Sequence, residues 1–204
     1  MFLPEPPHTA AVEAAYENDL AQDGFIFNNS RLWSYRPDVT DAFVQLRSLL
    51  SKPSSLSERE LAVLVTATAS ARADSYCALA WGNRLAGLAG DVAAAAVITG
   101  EAEPSLSQRE VALAEWARAV VTDPNGTTAA DVERLRDNWL TDREIFEATT
   151  FIAFRLVFST VDNALGAEPD QQHVEAASEA VRKAVSFGRP PAAFLSSTTT
   201  WSEP

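Results

Sequence analysis

The amino-acid sequence predicts an all-α protein. A helix-start signature of the form Leu-[Ser/Thr]-x-Arg-Glu occurs three times, and an apolar run follows each copy. Glycine is sparse, with 8 residues in 204, whereas alanine and other residues that favour helices form long runs. The one cluster of β-branched residues, Val63 to Val65, lies inside a helical pattern. We therefore expect about eight helices and no strand.

The three copies of the signature begin at Leu56, Leu106 and Leu140. Each is a capping box, in which the hydroxyl accepts a hydrogen bond from the backbone N–H three residues later. The glutamate in turn reaches back to the backbone N–H of the capping residue, and the preceding leucine can pack on the first turn. These signals predict helices over residues 57–71, 107–122 and 141–165.

The remaining segments are assigned from caps, breakers and apolar periodicity. Pro37 occupies the favoured first turn of a helix, and Asp74 is a candidate N-cap. We predict further helices over residues 10–20, 37–50 and 75–89, one from Thr127 or Thr128 to about 138, and one from Pro169 or Asp170 to about 186. The stretch over 25–33 is expected to be irregular and apolar. The boundaries that follow are an N-terminal extension with a short helix (1–22), one helical domain (23–186) and an extended C-terminal tail (187–204).

Charge and composition disfavour several classes of partner. The net charge is −12 and the isoelectric point is about 4.5. Nucleic acid and anionic membrane surfaces are bound by clustered Lys and Arg, so neither is expected. No apolar run approaches the roughly 18 residues that a membrane span needs, and the first residues lack the regions of a signal peptide. A single cysteine cannot form an intrachain disulfide. We expect a cytoplasmic protein that needs no metal or other cofactor.

Cys77 is the most informative residue. With Asp74 as the N-cap, Cys77 is the third residue of the predicted 75–89 helix, where free amides and the helix dipole favour a thiolate. The negative charge of Asp74 offsets part of that effect. Trp81 lies four residues later on the same helical face, and Tyr76 is adjacent. Two interpretations remain: an inert cysteine buried against a tryptophan, or a reactive thiol in a substrate site.

Arg155 is the only charge within the apolar run Phe151 to Phe158, and Asp162 follows seven residues later on the same face. A guanidinium among phenylalanines must be paired or must line a cavity. One interpretation is an ion pair with Asp162 or another acid. The other is a contact to an anionic or carbonyl group of a ligand bound near Cys77.

The run SYCALAWG around Cys77, preceded by LSERELAVLV, resembles the signature of the AhpD-like family, which includes the carboxymuconolactone decarboxylases. Other segments resemble its peroxidase-related branch: DGFIFN followed by Arg36-Pro37, and then LSQREVALAEWARAVVTDP, TAADVERLRDNWLTDREIFEAT and VDNALG. The resemblance extends over about residues 23–168. It implies an AhpD-like helical fold, a homo-oligomer (dimer, trimer or hexamer) and a thiol-dependent peroxidase of the peroxiredoxin type.

The redox motif of that family is Cys-x-x-Cys followed by a histidine, and this chain keeps only part of it. Asp74 stands where the first cysteine would be, Cys77 is the second, and Trp81 stands where the histidine would be. In the family one cysteine attacks the peroxide, and the other resolves the sulfenic acid as a disulfide. With Cys77 alone, the second step needs an external thiol reductant or a neighbouring subunit. We expect both histidines of the chain, His8 and His173, to face solvent.

Glu60 is similar to the glutamate that relays protons in the family, although it lies about two residues further from the cysteine motif. The equivalent glutamates of the other two capping boxes, Glu110 and Glu144, give Glu60 a second interpretation as a helix cap.

Three hypotheses from different classes follow. The first is a thiol-dependent, single-cysteine oxidoreductase in which Cys77, Glu60 and Asp74 are catalytic and Tyr76, Trp81 and Arg155 bind a small-molecule substrate. The second is a non-redox lyase, decarboxylase or isomerase that acts on a small organic acid. The third is a non-catalytic helical binding protein.

Overall fold

The computed structural model describes residues 1–52 and 54–191. Within these residues the chain forms eleven α-helices and no strand, so the all-α prediction is confirmed. In chain order the helices are α1 (Ala10–Asp23), α2 (Asn28–Trp33), α3 (Pro37–Ser51), α4 (Glu58–Ala71), α5 (Ser75–Ala89), α6 (Asp91–Thr99), α7 (Gln108–Thr122), α8 (Ala129–Asp137), α9 (Asp142–Leu165), α10 (Gln171–Ala176) and α11 (Glu179–Ala184).

The structure has three more helices in its described residues than the eight that were predicted. The short α2 forms inside the stretch predicted to be irregular, and α6 occupies an alanine-rich run that was assigned no element. No side-chain cap marks either start, which is why sequence signals missed them. The predicted last helix is divided because Ala177 adopts an extended conformation (φ −73°, ψ 137°) and Ser178 caps the next helix.

The capping boxes of α4, α7 and α9 form as predicted, and they also meet in space. Arg59 pairs with Glu110, and Arg109 lies between Glu60 and Glu144, with 2.6 Å between Arg109 Nη2 and Glu144 Oε1. Each box therefore holds its own helix start and supplies a charge to a neighbouring start. This network joins three helix N-termini at one end of the bundle.

The centre of the bundle is α4, in which every residue from Ala62 to Ala69 is buried. Such a helix is apolar on all sides because α5, α6, α7 and α9 surround it. Close packing beside it depends on Gly82 of α5, where an added Cβ would lie 3.0 Å from Ile98 and 3.1 Å from Val181. The main core therefore lies between α4 and its four neighbours.

A second apolar cluster, which contains Cys77, lies beyond the C-terminal end of α4. Met1 and Leu3 pack against it from the N-terminal segment, and Phe187 packs against it from the C-terminal segment. The segment 187–191 of the predicted tail crosses the start of α5, where Ser75 Oγ donates a hydrogen bond to the carbonyl of Arg189 (2.8 Å). The rest of that tail, 192–204, lies outside the described residues. No helix in the described part of the chain is long and apolar enough to cross a membrane.

Candidate functional site

The turn between α4 and α5 positions Cys77. Ala73 adopts a left-handed conformation (φ 51°), and the backbone N–H of Asp74 donates to the carbonyl of Ala69 (2.9 Å). The chain then reverses into α5, and Asp74 Oδ1 accepts a hydrogen bond from the backbone N–H of Cys77 (3.1 Å). Asp74 is therefore the N-cap, as predicted, and its carboxylate lies beside the thiol.

Asp74 is fully buried and accepts a further hydrogen bond from Ser159, whose Oγ donates to Asp74 Oδ2 (2.6 Å). The Cys77 thiol is close enough to this carboxylate to be affected by its charge. Burial raises the pKa of Cys77 well above its ordinary value, and the negative charge of Asp74 raises it further. The positive charge of Arg155 acts in the opposite direction. At neutral pH the sulfur therefore carries a proton, for which Asp74 is the adjacent acceptor.

Arg155 of α9 contacts the sulfur directly. Its Nη2 lies 3.5 Å from Cys77 Sγ, and its guanidinium carbon lies 5.2 Å from the centre of the Trp81 ring and 5.3 Å from that of Phe158. The residue is only 7% exposed. Among the described residues no carboxylate oxygen lies within 4.0 Å of the guanidinium, so an ion pair with Asp162 is not formed.

The carboxylate of Asp162 has other partners. It accepts hydrogen bonds from Trp33 Nε1 (2.9 Å) and Asn29 Nδ2 (2.6 Å), and it is fully buried. Burial raises its pKa to about 7, against the lowering effect of the Trp33 hydrogen bond, and the charge of Asp74 raises it as well. This buried carboxyl group can therefore exchange a proton near neutral pH.

Trp81 contacts two arginines. Its ring is contacted by Arg155 from α9 and by Arg84 from its own helix, each guanidinium carbon lying 5.2 Å from the ring centre. Arg84 also forms an ion pair with Glu58. A third arginine, Arg47 of α3, is half-buried nearby. Its pKa is lowered by burial and then by the positive charges of Arg155 and Arg84.

Tyr76, expected to bind substrate, faces a different group of side chains. Its hydroxyl donates a hydrogen bond to Asp170, and its ring centre lies 5.8 Å from that of His173. Burial raises the pKa of Tyr76 well above its ordinary value, and the charge of Asp170 adds to the shift. His173 is not solvent-facing as expected: it stacks on Phe27 at 5.5 Å, and burial lowers its pKa. His8 is exposed and pairs with Glu13 (2.9 Å).

Glu60 is separated from this site. It lies in the first turn of α4, whereas Cys77 follows the other end of that helix, and the helix between them rises about 17 Å. Its carboxylate accepts from the backbone N–H of Ser57 (2.7 Å) and pairs with Arg109. The described contacts of Glu60 are therefore those of a helix cap. Four of the six residues named from the sequence come together here: Cys77, Asp74, Arg155 and Trp81.

Two residues of the site were not identified from the sequence. Ser159 lies four residues after Arg155, so the helical spacing of α9 would place both on one face. Arg47 carries no such signal, because only the packing of α3 against α9 brings it near Arg155. Among the described residues no group of three His, Cys, Asp or Glu side chains is arranged to hold a metal ion.

Comparisons with known proteins identify the fold. No model of a protein family matches the chain, and no curated protein sequence matches it. The solved structures similar to it include an AhpD-core, uncharacterised peroxidase-related protein from Ralstonia eutropha JMP134, with 23% identity and a TM-score of 0.70 over 84% of this chain and 93% of the other. An uncharacterised peroxidase-related protein from Silicibacter sp. TM1040 has 20% identity and a TM-score of 0.75, again over 84% of this chain and 93% of the other.

A third similar structure is that of a debrominase, Bmp8, with one cysteine replaced by alanine and 2,3,4-tribromopyrrole bound. It has 15% identity and a TM-score of 0.69 over 85% of this chain and 95% of the other. The shared feature in all three cases is the helical fold, at nearly full length.

Proposed function

We propose that this chain, which has the AhpD-like helical fold, belongs to the AhpD-like family and is a single-cysteine, thiol-dependent peroxidase. The observation that carries the proposal is the contact between Arg155 and the sulfur of Cys77. A buried guanidinium is costly unless it is paired, and among the described residues the partner of Arg155 is a thiol rather than a carboxylate. The carboxylate of Asp74 accepts from the backbone N–H of that same cysteine.

The three side chains suit the first half of a peroxidase reaction. Asp74 takes the proton of the Cys77 thiol, and the sulfur then attacks the terminal oxygen of the peroxide. The O–O bond breaks as the S–O bond forms, and the leaving oxygen takes a proton from Asp74 and departs as an alcohol or water. Arg155 stabilises the negative charge that develops on sulfur and on the leaving oxygen. Cys77 is thereby oxidised to a sulfenic acid, and the peroxide is reduced.

The second half requires an external thiol, because the chain has one cysteine. A thiol attacks the sulfenic acid, releases water and leaves a mixed disulfide on Cys77. A second thiol molecule then reduces this disulfide and regenerates Cys77. The complete reaction converts one peroxide and two thiols into an alcohol, water and a disulfide.

The similarity to the debrominase supports a cysteine-dependent reaction on a small molecule in this fold. The brominated pyrrole was bound to a form of that protein with one cysteine replaced by alanine. In this chain Cys77 is the only cysteine, so any such chemistry belongs to that residue.

A second candidate is a non-redox lyase, decarboxylase or isomerase that acts on a small organic acid. It is favoured by Asp162, whose buried carboxyl group has a pKa of about 7, which suits proton transfer. In that reaction Arg155 would bind the carboxylate of the substrate, and Cys77 would be dispensable. A Cys77→Ala variant with full turnover of an organic acid would establish this candidate.

The test of the peroxidase proposal is consumption of cumene hydroperoxide in the presence of dithiothreitol. We expect catalytic turnover by the unmodified chain, loss of turnover in Cys77→Ser, and retention in Glu60→Gln. Turnover that is unchanged by Cys77→Ser, or a rate no greater than that of dithiothreitol alone, would contradict the proposal.

A further inference from the structure

We propose that Arg47 and Arg155 together bind the carboxylate of an organic anion, so that the substrate of the Cys77 site is a small carboxylic acid derivative. This inference rests on the proposed function, because it names the substrate class of that site. In the peroxidase reaction the substrate would be an organic hydroperoxide that carries a carboxylate.

The first support is the state of the two guanidinium groups. Arg155 is 7% exposed, and its hydrogen-bond acceptor is the sulfur of Cys77. Arg47 is half-buried, and in the described part of the chain no carboxylate lies within ion-pair distance of it. Positive charges that are withdrawn from water without a counter-charge are normally eliminated or paired. An anion between them supplies the missing partner.

The second support is the packing that brings the two arginines to one place. Phe43 of α3 contacts α9, with its ring centre 5.3 Å from that of Phe154 and 5.7 Å from that of Phe158. Arg47 follows Phe43 by one helical turn and therefore lies on the same side of α3. Arg155 is adjacent to Phe154 in α9, and its charge is close enough to lower the pKa of Arg47.

The third support is the position of the acids. Asp74 and Asp162 are the acids around Arg155, and both are engaged with other groups. Asp74 binds Ser159 and Cys77, and Asp162 binds Trp33 and Asn29. In the part of the chain that the structure describes, no carboxylate forms an ion pair with Arg47 or Arg155. The region between Arg47 and Arg155 is therefore positive in a chain whose net charge is −12.

The surroundings favour an organic acid over inorganic phosphate. Guanidinium groups bind carboxylates and phosphates alike through paired N–H donors, so the preference depends on the apolar surroundings. The neighbouring surfaces are the rings of Trp81 and Phe158, which would contact the apolar part of a ligand. A ligand with one carboxylate and an apolar body matches both features.

The charge preference can be measured at Cys77 without any peroxide. Iodoacetate and iodoacetamide alkylate the same sulfur and differ in charge, and the mass of the intact chain reports the reaction at its single cysteine. We expect the ratio of the iodoacetate rate to the iodoacetamide rate to exceed the ratio for the urea-unfolded chain on the order of tenfold. Arg47→Gln should abolish the excess, and Arg134→Gln, at an exposed arginine of α8, should retain it.

A calorimetric titration with benzoate gives a measurement that does not require access to the thiol. We expect saturable binding with a Kd of roughly 1 mM, no comparable binding of phosphate, and loss of benzoate binding in Arg47→Gln. A rate ratio equal to that of the unfolded chain, or benzoate binding that survives Arg47→Gln, would overturn the inference. If benzoate binds as expected but no peroxide is consumed, the proposed function fails while the carboxylate site stands.

Discussion

Arg155 and Cys77 are 78 positions apart in the sequence, yet a guanidinium nitrogen of one lies 3.5 Å from the sulfur of the other. Both side chains are buried, and the carboxylate of Asp74 lies beside the same sulfur. The thiol is thus held between a positive and a negative side chain. Their opposite effects on its pKa lead to the first prediction.

Removing the charge of Arg155 and removing that of Asp74 should have opposite effects on the reactivity of Cys77. Arg155→Met removes the positive charge, so the pKa of Cys77 should rise further, and alkylation by iodoacetamide at pH 8 should slow by about tenfold. Asp74→Asn removes the negative charge and keeps a residue that can cap a helix, so alkylation should accelerate by about tenfold. The pH dependence of alkylation, followed by the mass of the intact chain, measures both effects.

Changes in the same direction for both variants would contradict this arrangement. Circular dichroism of each variant distinguishes a change at the thiol from a loss of the helical fold.

Glu60 should affect stability and leave the thiol unchanged. Glu60→Gln removes the charge that pairs with Arg109 but retains a side chain that can complete the capping box, so we expect a loss of about 0.5–1 kcal/mol. Glu60→Ala also removes the acceptor for the backbone N–H of Ser57, and the loss should reach about 1–2 kcal/mol. Urea unfolding measures both values. A slower alkylation of Cys77 in Glu60→Gln would instead show that Glu60 influences the thiol.

Most of the fold could be predicted because its signals are local. Three helix starts were correctly identified from capping boxes, since a hydroxyl and a glutamate three residues apart satisfy each other within one turn. The start of α6 at Gly90 has no side-chain cap, so its sequence contained no such signal. The break between α10 and α11 depends on the extended backbone of Ala177, and an alanine in the sequence does not predict such a break.

The site was predictable only where it depends on one helix. Asp74 caps α5, and Cys77 and Trp81 lie within it, so their spacing alone placed them on or near one face. The partner of Arg155 was not predictable, because contacts between residues far apart in the sequence decide which group meets its guanidinium. Asp162 was taken instead by Trp33 and Asn29 of α2, a helix that the sequence did not reveal.

The pairing of Arg109 with Glu144 should make the free energy of unfolding fall at acid pH. Partial burial opposes ionisation of Glu144, but hydrogen bonds from Thr141 and Arg109 lower its pKa from 4.5 to about 2. A lowered pKa means that the stabilisation is complete above about pH 4.5 and is lost as the pH falls towards 2. Arg109→Met should therefore cost about 1–3 kcal/mol at pH 7 and much less near pH 2.

Urea unfolding of the unmodified chain and of Arg109→Met across this range measures the difference. The exposed Arg134, replaced by Met, is the matched control and should cost less than about 0.5 kcal/mol. A cost of Arg109→Met that does not vary with pH would show that the charge of Glu144 is not its source.

Asp162 should produce the opposite pH dependence. Its pKa is raised from 3.8 to about 7, so between these values the folded chain keeps a proton that the unfolded chain releases. The unfolded state then binds fewer protons, and stability falls as the pH rises, by up to about 1.4 kcal/mol per pH unit. Asp162→Asn cannot titrate, and the stability of the unmodified chain relative to this variant should decrease from pH 4 to pH 7. A constant difference would place the pKa of Asp162 near its ordinary value.

The most direct measurement is oxidation of Cys77 by a peroxide in a single turnover. Cumene hydroperoxide is mixed with the chain, the sulfenic acid is trapped with dimedone, and the mass of the intact chain is followed with time. We expect trapping faster than for free cysteine at pH 7, slowed by about tenfold or more in Arg155→Met and unchanged in Glu60→Gln. A thiol that is oxidised no faster than free cysteine, or one whose rate is unaffected by Arg155→Met, would contradict a peroxidase built on Cys77 and Arg155.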